Sequence, residues 1–207
     1  MSQATVSLVD VSSYLPGEPI GADYYAQFAE SDELRNNLMF RAPSFRHHVG
    51  PDETAIDMVE RAAQGLIERH GRDVLADVDV LITHTQVPDM AFYGAGGGIA
   101  HRLGMRPNWV LDLHNGGCAA FVLGLKVARQ LLASGEGHTA LIAIAQNAAG
   151  QVFDQPGVRR KAQSSVPGDG AAVGLVTLSD ESPILDIECR TYGEYAGDMT
   201  LAIDPPR

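Results

Sequence analysis

The stretch WVLDLHNGGCAAFVLGL, residues 109–125, carries a strand pattern, a glycine pair and an apolar helix pattern in direct succession. Residues 109–113 are almost wholly apolar and predict a buried strand. From 119 to 132 the composition is typical of a helix with almost no polar side. Cys118 follows the glycine pair at 116–117, so the sequence predicts a cysteine on the turn between a strand and a helix.

On both sides of this stretch, strand and helix patterns alternate along the chain. Apolar spacing of three and four residues predicts an amphipathic helix over 52–70. Residues 24–40 predict helix in pieces. Further strands are predicted at 4–11, 78–82, 139–145 and 171–178, and a further helix at 96–103. This alternation predicts an α/β fold with a mixed sheet and helices on both faces.

Composition and charge narrow the class of protein. Of 207 residues, 45% are hydrophobic and 20% charged, which is ordinary for a globular protein. Twenty-six acidic residues against 15 basic ones give a net charge of −11, which argues against a general binder of nucleic acid or anionic membranes. No run of residues predicts a membrane span or a signal peptide. Two cysteines make no disulfide framework, so we expect a cytoplasmic, reducing location.

Position and residue type leave two interpretations of Cys118 open. The N-terminus of a helix favours the thiolate form of a cysteine, and the glycine pair leaves room for an acyl group against the backbone. A free cysteine is, however, also a small residue that often lies buried in the core. Spacing alone does not decide between a nucleophile and a structural residue.

Four stretches, in order, resemble the N-terminal half of the 3-oxoacyl-acyl-carrier-protein synthase III (ketoacyl synthase III) family. That family has the thiolase-like fold, layered α-β-α-β-α, and the resemblance implies this fold here. The cysteine motif and the Gly-Asp-Gly turn, about fifty residues apart, are jointly specific. The four stretches are LITHT at 81–85 with Pro88 and Asp89, DLHNGGCAAF at 112–121, GDGAA at 168–172 and YGEY at 192–195.

The resemblance implies roles for particular residues. Cys118 falls on the acyl-accepting cysteine of the family, and is therefore the expected catalytic residue. Arg46, Gly168 and Asp169 are expected to be structural. The expected substrate-binding residues are Tyr93, Phe121, Arg160 and Lys161, with Tyr93 reaching across a dimer interface into the partner's pocket.

By the same resemblance, an acyl group from an acyl-coenzyme A or acyl-carrier-protein thioester loads onto Cys118 and then passes to a second nucleophile. No metal and no other cofactor is expected. Ala120 and Ala172 replace glycines usual in the family, and this divergence leaves fatty-acid-like and polyketide or specialised metabolism both open. The alternative is a non-catalytic, thiolase-like partner subunit that shapes another chain's acyl pocket. A cysteine hydrolase fits the turn but not the Gly-Asp-Gly motif.

The resemblance also predicts how the chain is organised. Residues 1–180 correspond to the half that carries the nucleophile, and residues 181–207 to the start of the bridge. The general base is expected in a C-terminal half outside this chain. A homodimer is predicted from the family and from the uncharged run at 139–145, whose lack of charge suggests burial by pairing.

Two other patterns could suggest a dinucleotide-binding loop or a metal site, but the residues present do not support either. The glycine-rich run at 94–98 lacks the register of a dinucleotide loop, and we expect backbone packing there instead. His47, His48 and His84 have no carboxylate or cysteine at metal-ligand spacing. His114 precedes Cys118 by four residues and is expected to be structural.

Overall fold

The computed structural model describes residues 4–40, 43–90, 92–114 and 116–198. Among these residues, the strands are β1 (Val6–Tyr14), β2 (Ile20–Gly21), β3 (Phe45–Arg46), β4 (Val80–Thr85), β5 (Trp109–Asp112), β6 (Thr139–Gln146) and β7 (Gly170–Leu178). The α-helices are α1 (Asp23–Ala26), α2 (Asp32–Arg35), α3 (Ala55–His70), α4 (Asp73–Ala76), α5 (Gly96–Leu103) and α6 (Ala120–Ala133). Shorter helical turns lie at Leu38–Phe40, Gly117–Ala119, Ala149–Phe153, Ala162–Ser165 and Gly193–Tyr195.

Five strands form one mixed sheet in the order β1-β7-β6-β4-β5. Strand β4 is parallel to both β5 and β6, whereas β7 is antiparallel to β6 and to β1. The two short strands β2 and β3 pair separately. Helices α3 and α5 pack on one face of the large sheet and α6 packs on the other. The predicted mixed sheet with helices on both faces is confirmed.

Helix α3 follows the sequence pattern closely. Its N-terminus is a capping box, in which the Thr54 side chain accepts from the Asp57 N–H and the Asp57 carboxylate accepts from the Thr54 N–H. The Asp89 carboxylate also accepts from the N–H groups of Ala55 and Ile56, at 2.8 and 3.2 Å. Gly71 ends the helix with φ +81°, a conformation that favours glycine. One face of the helix is buried and the other is charged, as the periodicity predicts.

Helix α6 carries fewer charged residues than α3, but Lys126, Arg129 and Gln130 lie together on its side away from the sheet, so the prediction of a helix with almost no polar side is wrong. Its buried positions are Ala120, Gly124, Ala128 and Leu132, which lie on the sheet. At Gly124 an added Cβ would come within 2.9 Å of Ile142 Cγ2, so the helix approaches β6 closely. The side away from the sheet still carries apolar residues, and Val122 is 44% exposed.

Strand β5 corrects the prediction of a buried strand at 109–113. It is the edge strand of the sheet, and it pairs with β4 alone. Trp109 is 40% exposed, and its indole Nε1–H donates to Glu136 Oε2 at 3.1 Å. An apolar run predicts a strand but does not distinguish an interior strand from an edge strand whose outer side is open.

The position of strand β6 shows that the uncharged run at 139–145 was misinterpreted. Its uncharged run was expected to reflect burial by a second subunit, but β6 lies in the middle of the sheet, between β7 and β4. Residues 140–145 are buried within this chain alone. The run therefore gives no support to the dimer, which stays a prediction on other grounds.

Candidate functional site

Cys118 lies on a short helical turn, Gly117–Ala119, immediately before α6. Gly117 has φ +50°, in the left-handed region that side chains disfavour. At Gly116 an added Cβ would lie 2.7 Å from Ala120 Cα, so this glycine packs against the first turn of the helix. The predicted turn is confirmed, and at both positions a side chain would be disfavoured for steric reasons. The thiol is exposed to solvent, which is inconsistent with a buried structural cysteine.

The strand that leads to this turn is fixed by Asp112, the last residue of β5. Thr83 Oγ1–H donates to Asp112 Oδ1, and the Gly96 N–H donates to the same oxygen at 3.1 Å. A Cβ added at Gly94 would meet the Asp112 carboxylate at 2.0 Å. The glycine-rich run therefore packs closely against β5, as predicted, and the carboxylate links β4, β5 and the start of α5.

His84 holds the next residue of the same segment. Its side chain is 3% exposed, and Nδ1–H donates to Leu113 O at 2.7 Å. The Leu113 N–H in turn donates to Thr83 O at 2.8 Å. The chain thus leaves the sheet with the backbone of Leu113 bonded on both sides, five residues before Cys118.

A pocket of about 320 Å³ opens beside this segment, at the carboxyl ends of β4 and β5. Tyr93, a predicted substrate-binding residue, lines it and is 72% exposed; the adjacent Phe92, which no sequence motif marks, also lines it and is 89% exposed. His114 is a further lining residue. The lining residues are Thr85, Pro88, Met90, Phe92, Tyr93, Gly94, Asp112, Leu113 and His114.

Phe121, the second predicted substrate-binding residue, packs against the sheet. A Cβ added at Gly174 would meet the Phe121 ring at 2.8 Å, so the ring covers the glycine of β7. Phe121 is partly buried in the core on the α6 side of the sheet. This placement gives the side chain a packing role, and its role in substrate binding stays a prediction.

Residues 159–161 are three consecutive cations, and they lie in different surroundings. The Arg159 guanidinium lies 3.9 Å from the centroid of the Phe28 ring. Arg160, a predicted substrate-binding residue, forms an exposed ion pair with Glu30 at 3.0 Å. Lys161, the other, is exposed at the start of the turn Ala162–Ser165. The structure brings neither residue to the pocket beside Tyr93.

Asp169, in the Gly-Asp-Gly turn, is buried and connects separate segments of the chain by hydrogen bonds. Its carboxylate accepts three backbone N–H groups, from Val49, Ala149 and Gly150, each at 2.8 Å. Its own N–H donates to His47 O at 2.8 Å. The turn therefore ties the loop after β6 to residues 47–50.

Arg46, also expected to be structural, is buried beside the same turn. Its Nη2 donates to Pro43 O at 2.9 Å, and its guanidinium lies 5.3 Å from the centroid of the Tyr25 ring. Burial lowers the pKa of Arg46 from its usual value. Burial likewise lowers the pKa of His48, whose Nε2 lies 3.0 Å from the Tyr25 hydroxyl. These contacts are consistent with a packing role for Arg46.

Within the described ranges, no group of three or more His, Cys, Asp or Glu side chains is arranged to hold a metal ion. In the same part of the chain, no helix combines the length and apolarity needed to cross a membrane.

Comparison with known proteins connects this geometry to a family. The family of 3-oxoacyl-[acyl-carrier-protein (ACP)] synthase III matches residues 111–193, which include the cysteine turn and the Gly-Asp-Gly turn. The beta-ketoacyl-[acyl-carrier-protein] synthase III of Alkalilimnicola ehrlichii is 31% identical over 191 residues, 91% of this chain and 56% of that protein. The chain spans about half the length of the curated relatives it matches.

Solved structures show the same fold. A 3-oxoacyl-(acyl-carrier protein) synthase from Burkholderia xenovorans superposes with a TM-score of 0.73 at 18% identity, covering 88% of this chain and 52% of that one. OleA of Xanthomonas campestris, with bound lauric acid and lauroyl-CoA, gives a TM-score of 0.73 at 17% identity, covering 86% of this chain and 57% of that one.

The sheet order and the cysteine turn at the start of α6 thus define a thiolase-like fold, as predicted. Within that class, the chain is similar to the 3-oxoacyl-acyl-carrier-protein synthase III family, and the resemblance seen in the sequence is confirmed.

Proposed function

We propose that this chain is the nucleophile-bearing part of an acyltransferase or condensing enzyme, and that Cys118 accepts the acyl group. The observation that carries the proposal is the placement of an exposed thiol on a glycine-built turn at the start of α6, inside the region that matches the family. Curated relatives named beta-ketoacyl-[acyl-carrier-protein] synthase III support the same general kind of enzyme.

The loading step requires only an acyl thioester. The sulfur of Cys118 attacks the carbonyl carbon, a new thioester bond forms, and the bond between the acyl carbon and the donor's sulfur breaks. The donor leaves as a thiolate and takes up the proton released by Cys118. The donor is an acyl-coenzyme A or an acyl-carrier protein, and the acyl group then passes to a second nucleophile in fatty-acid-like or specialised metabolism. No metal or prosthetic group takes part in this proposal.

Intact mass spectrometry tests the loading step. We expect acetyl-CoA or lauroyl-CoA to add one acyl group to the chain, and Cys118→Ala to abolish the adduct while Cys189→Ala retains it. Limiting iodoacetamide should label Cys118 well before Cys189, because both thiols are exposed but only Cys118 lies on a turn that leads directly into a long helix. An acyl adduct that survives Cys118→Ala, or equal labelling of the two thiols, contradicts the assignment.

The open edge of β5 supports a proposed homodimer. Trp109 and Val110 present partly exposed apolar side chains next to unpaired backbone groups, and Phe92 and Tyr93 extend from the neighbouring loop. We propose that two chains meet along this edge, with Tyr93 reaching the partner's pocket. Light scattering at micromolar concentration should give twice the chain mass. A monomer that persists at that concentration rejects the dimer.

The apolar residues that α6 leaves partly covered support a proposed second, covering half. In the described residues, Phe121, Leu125 and Leu131 are only partly buried, and Val122 is 44% exposed. We propose that residues 1–180 form the nucleophile-bearing half and that 181–207 begin a bridge. The general base for transfer would then belong to the covering half. The chain alone should load an acyl group but transfer none to an acceptor, and turnover by the chain alone contradicts this part of the proposal.

A non-catalytic partner subunit is the second candidate, favoured by the same open edge and by the partly covered α6. The two candidates differ in the loading experiment. A chain that dimerises but takes up no acyl group from any thioester supports the partner subunit. A chain that takes up the group and hydrolyses it rapidly in water supports a cysteine hydrolase instead. Cytoplasmic location stays a prediction from the sequence.

A further inference from the structure

His84 is a buried polar side chain on the face of the sheet that carries α6. It pairs in register with Ile144 of β6, which belongs to the core beneath α6. Because α6 connects two parallel strands, it runs antiparallel to them. Gly124 lies over Ile142, so the preceding helical turn, at Ala120, lies towards Ile144 and His84. The histidine therefore lies beneath the start of α6, where Cys118 is presented.

Only one nitrogen of the imidazole is engaged. Leu113 O can only accept a hydrogen bond, so Nδ1 carries the hydrogen in the 2.7 Å contact. Nε2 is enclosed and has no hydrogen-bond partner among the residues that the structure describes. A buried polar atom without a partner opposes folding, so the engaged nitrogen must supply a compensating benefit. That benefit lies at Leu113, where the segment carrying the nucleophile leaves the sheet.

Between β5 and Cys118, the described residues Leu113 and Gly116 are each held by contacts. The Thr83 carbonyl accepts from the Leu113 N–H and His84 donates to the Leu113 carbonyl. Nearer to Cys118, Gly116 packs against Ala120 of α6. Without the bond from His84, the Leu113 carbonyl would lose its donor, and the start of the segment would be free to rotate.

We propose that His84 is a positioning residue for Cys118, acting through its Nδ1–H on Leu113 O to hold the thiol at the N-terminus of α6. The inference rests on the proposed role of Cys118 as the acyl-accepting residue. Because Cys118 is already exposed, loosening the segment gains no access for reagents. Loss of position therefore lowers the reactivity of the thiol rather than raising it.

Two amide substitutions distinguish the nitrogens. The side-chain amide of His84→Asn can place an N–H donor near the position of Nδ1, whereas that of His84→Gln reaches towards Nε2. Both are measured in the full 207-residue chain, together with His84→Ala and with Leu75→Ala, a buried control in the core on the other face of the sheet. The readout is the ratio of iodoacetamide labelling at Cys118 to that at Cys189 in the same molecules, with thermal stability recorded for each variant.

We expect His84→Ala and His84→Gln to lower this ratio by about two- to fivefold, the size of a helix N-terminal effect, and His84→Asn to retain it. Leu75→Ala should lower thermal stability without changing the ratio. The proposal is overturned if the labelling ratio falls in His84→Asn as much as in His84→Gln, or if all three His84 variants keep the wild-type ratio. It is also overturned if Leu75→Ala lowers the ratio equally. If His84→Ala does not fold, the two amide variants decide the question alone.

The labelling arm needs no acyl transfer, so its result is independent of the proposed function. Wild-type chain that takes up no acyl group from thioesters removes the proposed function but leaves the labelling ratio readable. A lowered ratio with an intact acyl-loading rate in His84→Gln would contradict the positioning role in catalysis. We expect both to fall together.

Discussion

The two faces of the central sheet are covered in different ways. Among the described residues, the core on the α3 and α5 side contains 21 buried residues with four partly buried ones packed against it. The core on the α6 side contains ten buried residues and ten partly buried ones. Helix α3 turns a charged side to water, whereas the outer side of α6 mixes the polar residues Lys126, Arg129 and Gln130 with the exposed Val122. One face is complete within this chain, and the other, which carries Cys118, is incomplete.

This difference shows that the stability of the chain and its proposed chemistry come from separate surfaces. The α3 side supplies most of the fully buried apolar area, so it should dominate the free energy of unfolding. The α6 side presents the thiol and leaves apolar surface open, as a face that receives a partner would.

The largest expected effect tests this division directly. Leu66→Ala, in the complete core, should lower the free energy of unfolding by about 2–5 kcal/mol, because it removes a wholly buried side chain and leaves a cavity. Val122→Ala, on the open side of α6, should change it by less than about 0.5 kcal/mol. Urea unfolding of both variants makes the comparison. Similar losses at the two sites would show that both faces contribute equally.

The Gly-Asp-Gly turn that leads into β7 gives the next effect. Asp169→Asn replaces a carboxylate that accepts three buried N–H groups by an amide that can accept fewer of them. We expect a loss of about 1–3 kcal/mol in unfolding free energy. Asp32→Asn, at an exposed ion pair, is the control and should have little effect. If the two variants are equally stable, the three hydrogen bonds do not stabilise the turn.

A smaller effect belongs to the cysteine turn on the incomplete face. Gly117→Ala places a side chain at φ +50°, and we expect a loss of about 1–2 kcal/mol together with slower labelling of Cys118. Gly97→Ala is the matched control, since nothing lies within 4 Å of an added Cβ there and its φ is not positive. Thermal unfolding and iodoacetamide labelling measure both. Unchanged labelling in Gly117→Ala would mean that the turn tolerates a side chain.

The smallest effect is the pH dependence of the link between α3 and β1. Hydrogen bonds from Arg69 and His70 lower the pKa of Asp10 to about 2. Because this folded value lies below the unfolded one, the stabilisation is present above about pH 4 and is lost as the pH falls towards 2. Asp10→Asn should remove this part of the pH dependence, under about 1 kcal/mol. If the free energy of unfolding changes equally with pH between pH 2 and 6 in the wild-type protein and in Asp10→Asn, this prediction is wrong.

The sequence predicted the complete face better than the incomplete one. The bounds of α5 and the amphipathic character of α3 were predicted from the local sequence pattern, which depends only on neighbouring residues. The place of β5 at the edge and of β6 in the centre was missed, because strand order depends on pairing between distant segments. An apolar run has the same sequence pattern whether its strand lies at the edge or in the centre of the sheet.

The candidate site, too, was predicted only in part. The position of Cys118 followed from a contiguous motif of glycines, strand and helix. Asp169 was expected to be structural, but its hydrogen-bond partners and that of His84 were not predicted, because they lie far along the chain: Leu113 is 29 residues from His84, and Val49 is 120 residues from Asp169. A buried histidine in a strand of small and β-branched residues was the available signal.

The free edge of β5 has a consequence for handling the protein. In a chain that has not dimerised, its outer side offers N–H and C=O groups that no described strand pairs, beside Trp109 and Val110, and such an edge can pair with another extended chain. We expect the useful lifetime of a concentrated sample to be set by the rate of this association rather than by the equilibrium between folded and unfolded chains. Dilution should then extend that lifetime more than cooling does.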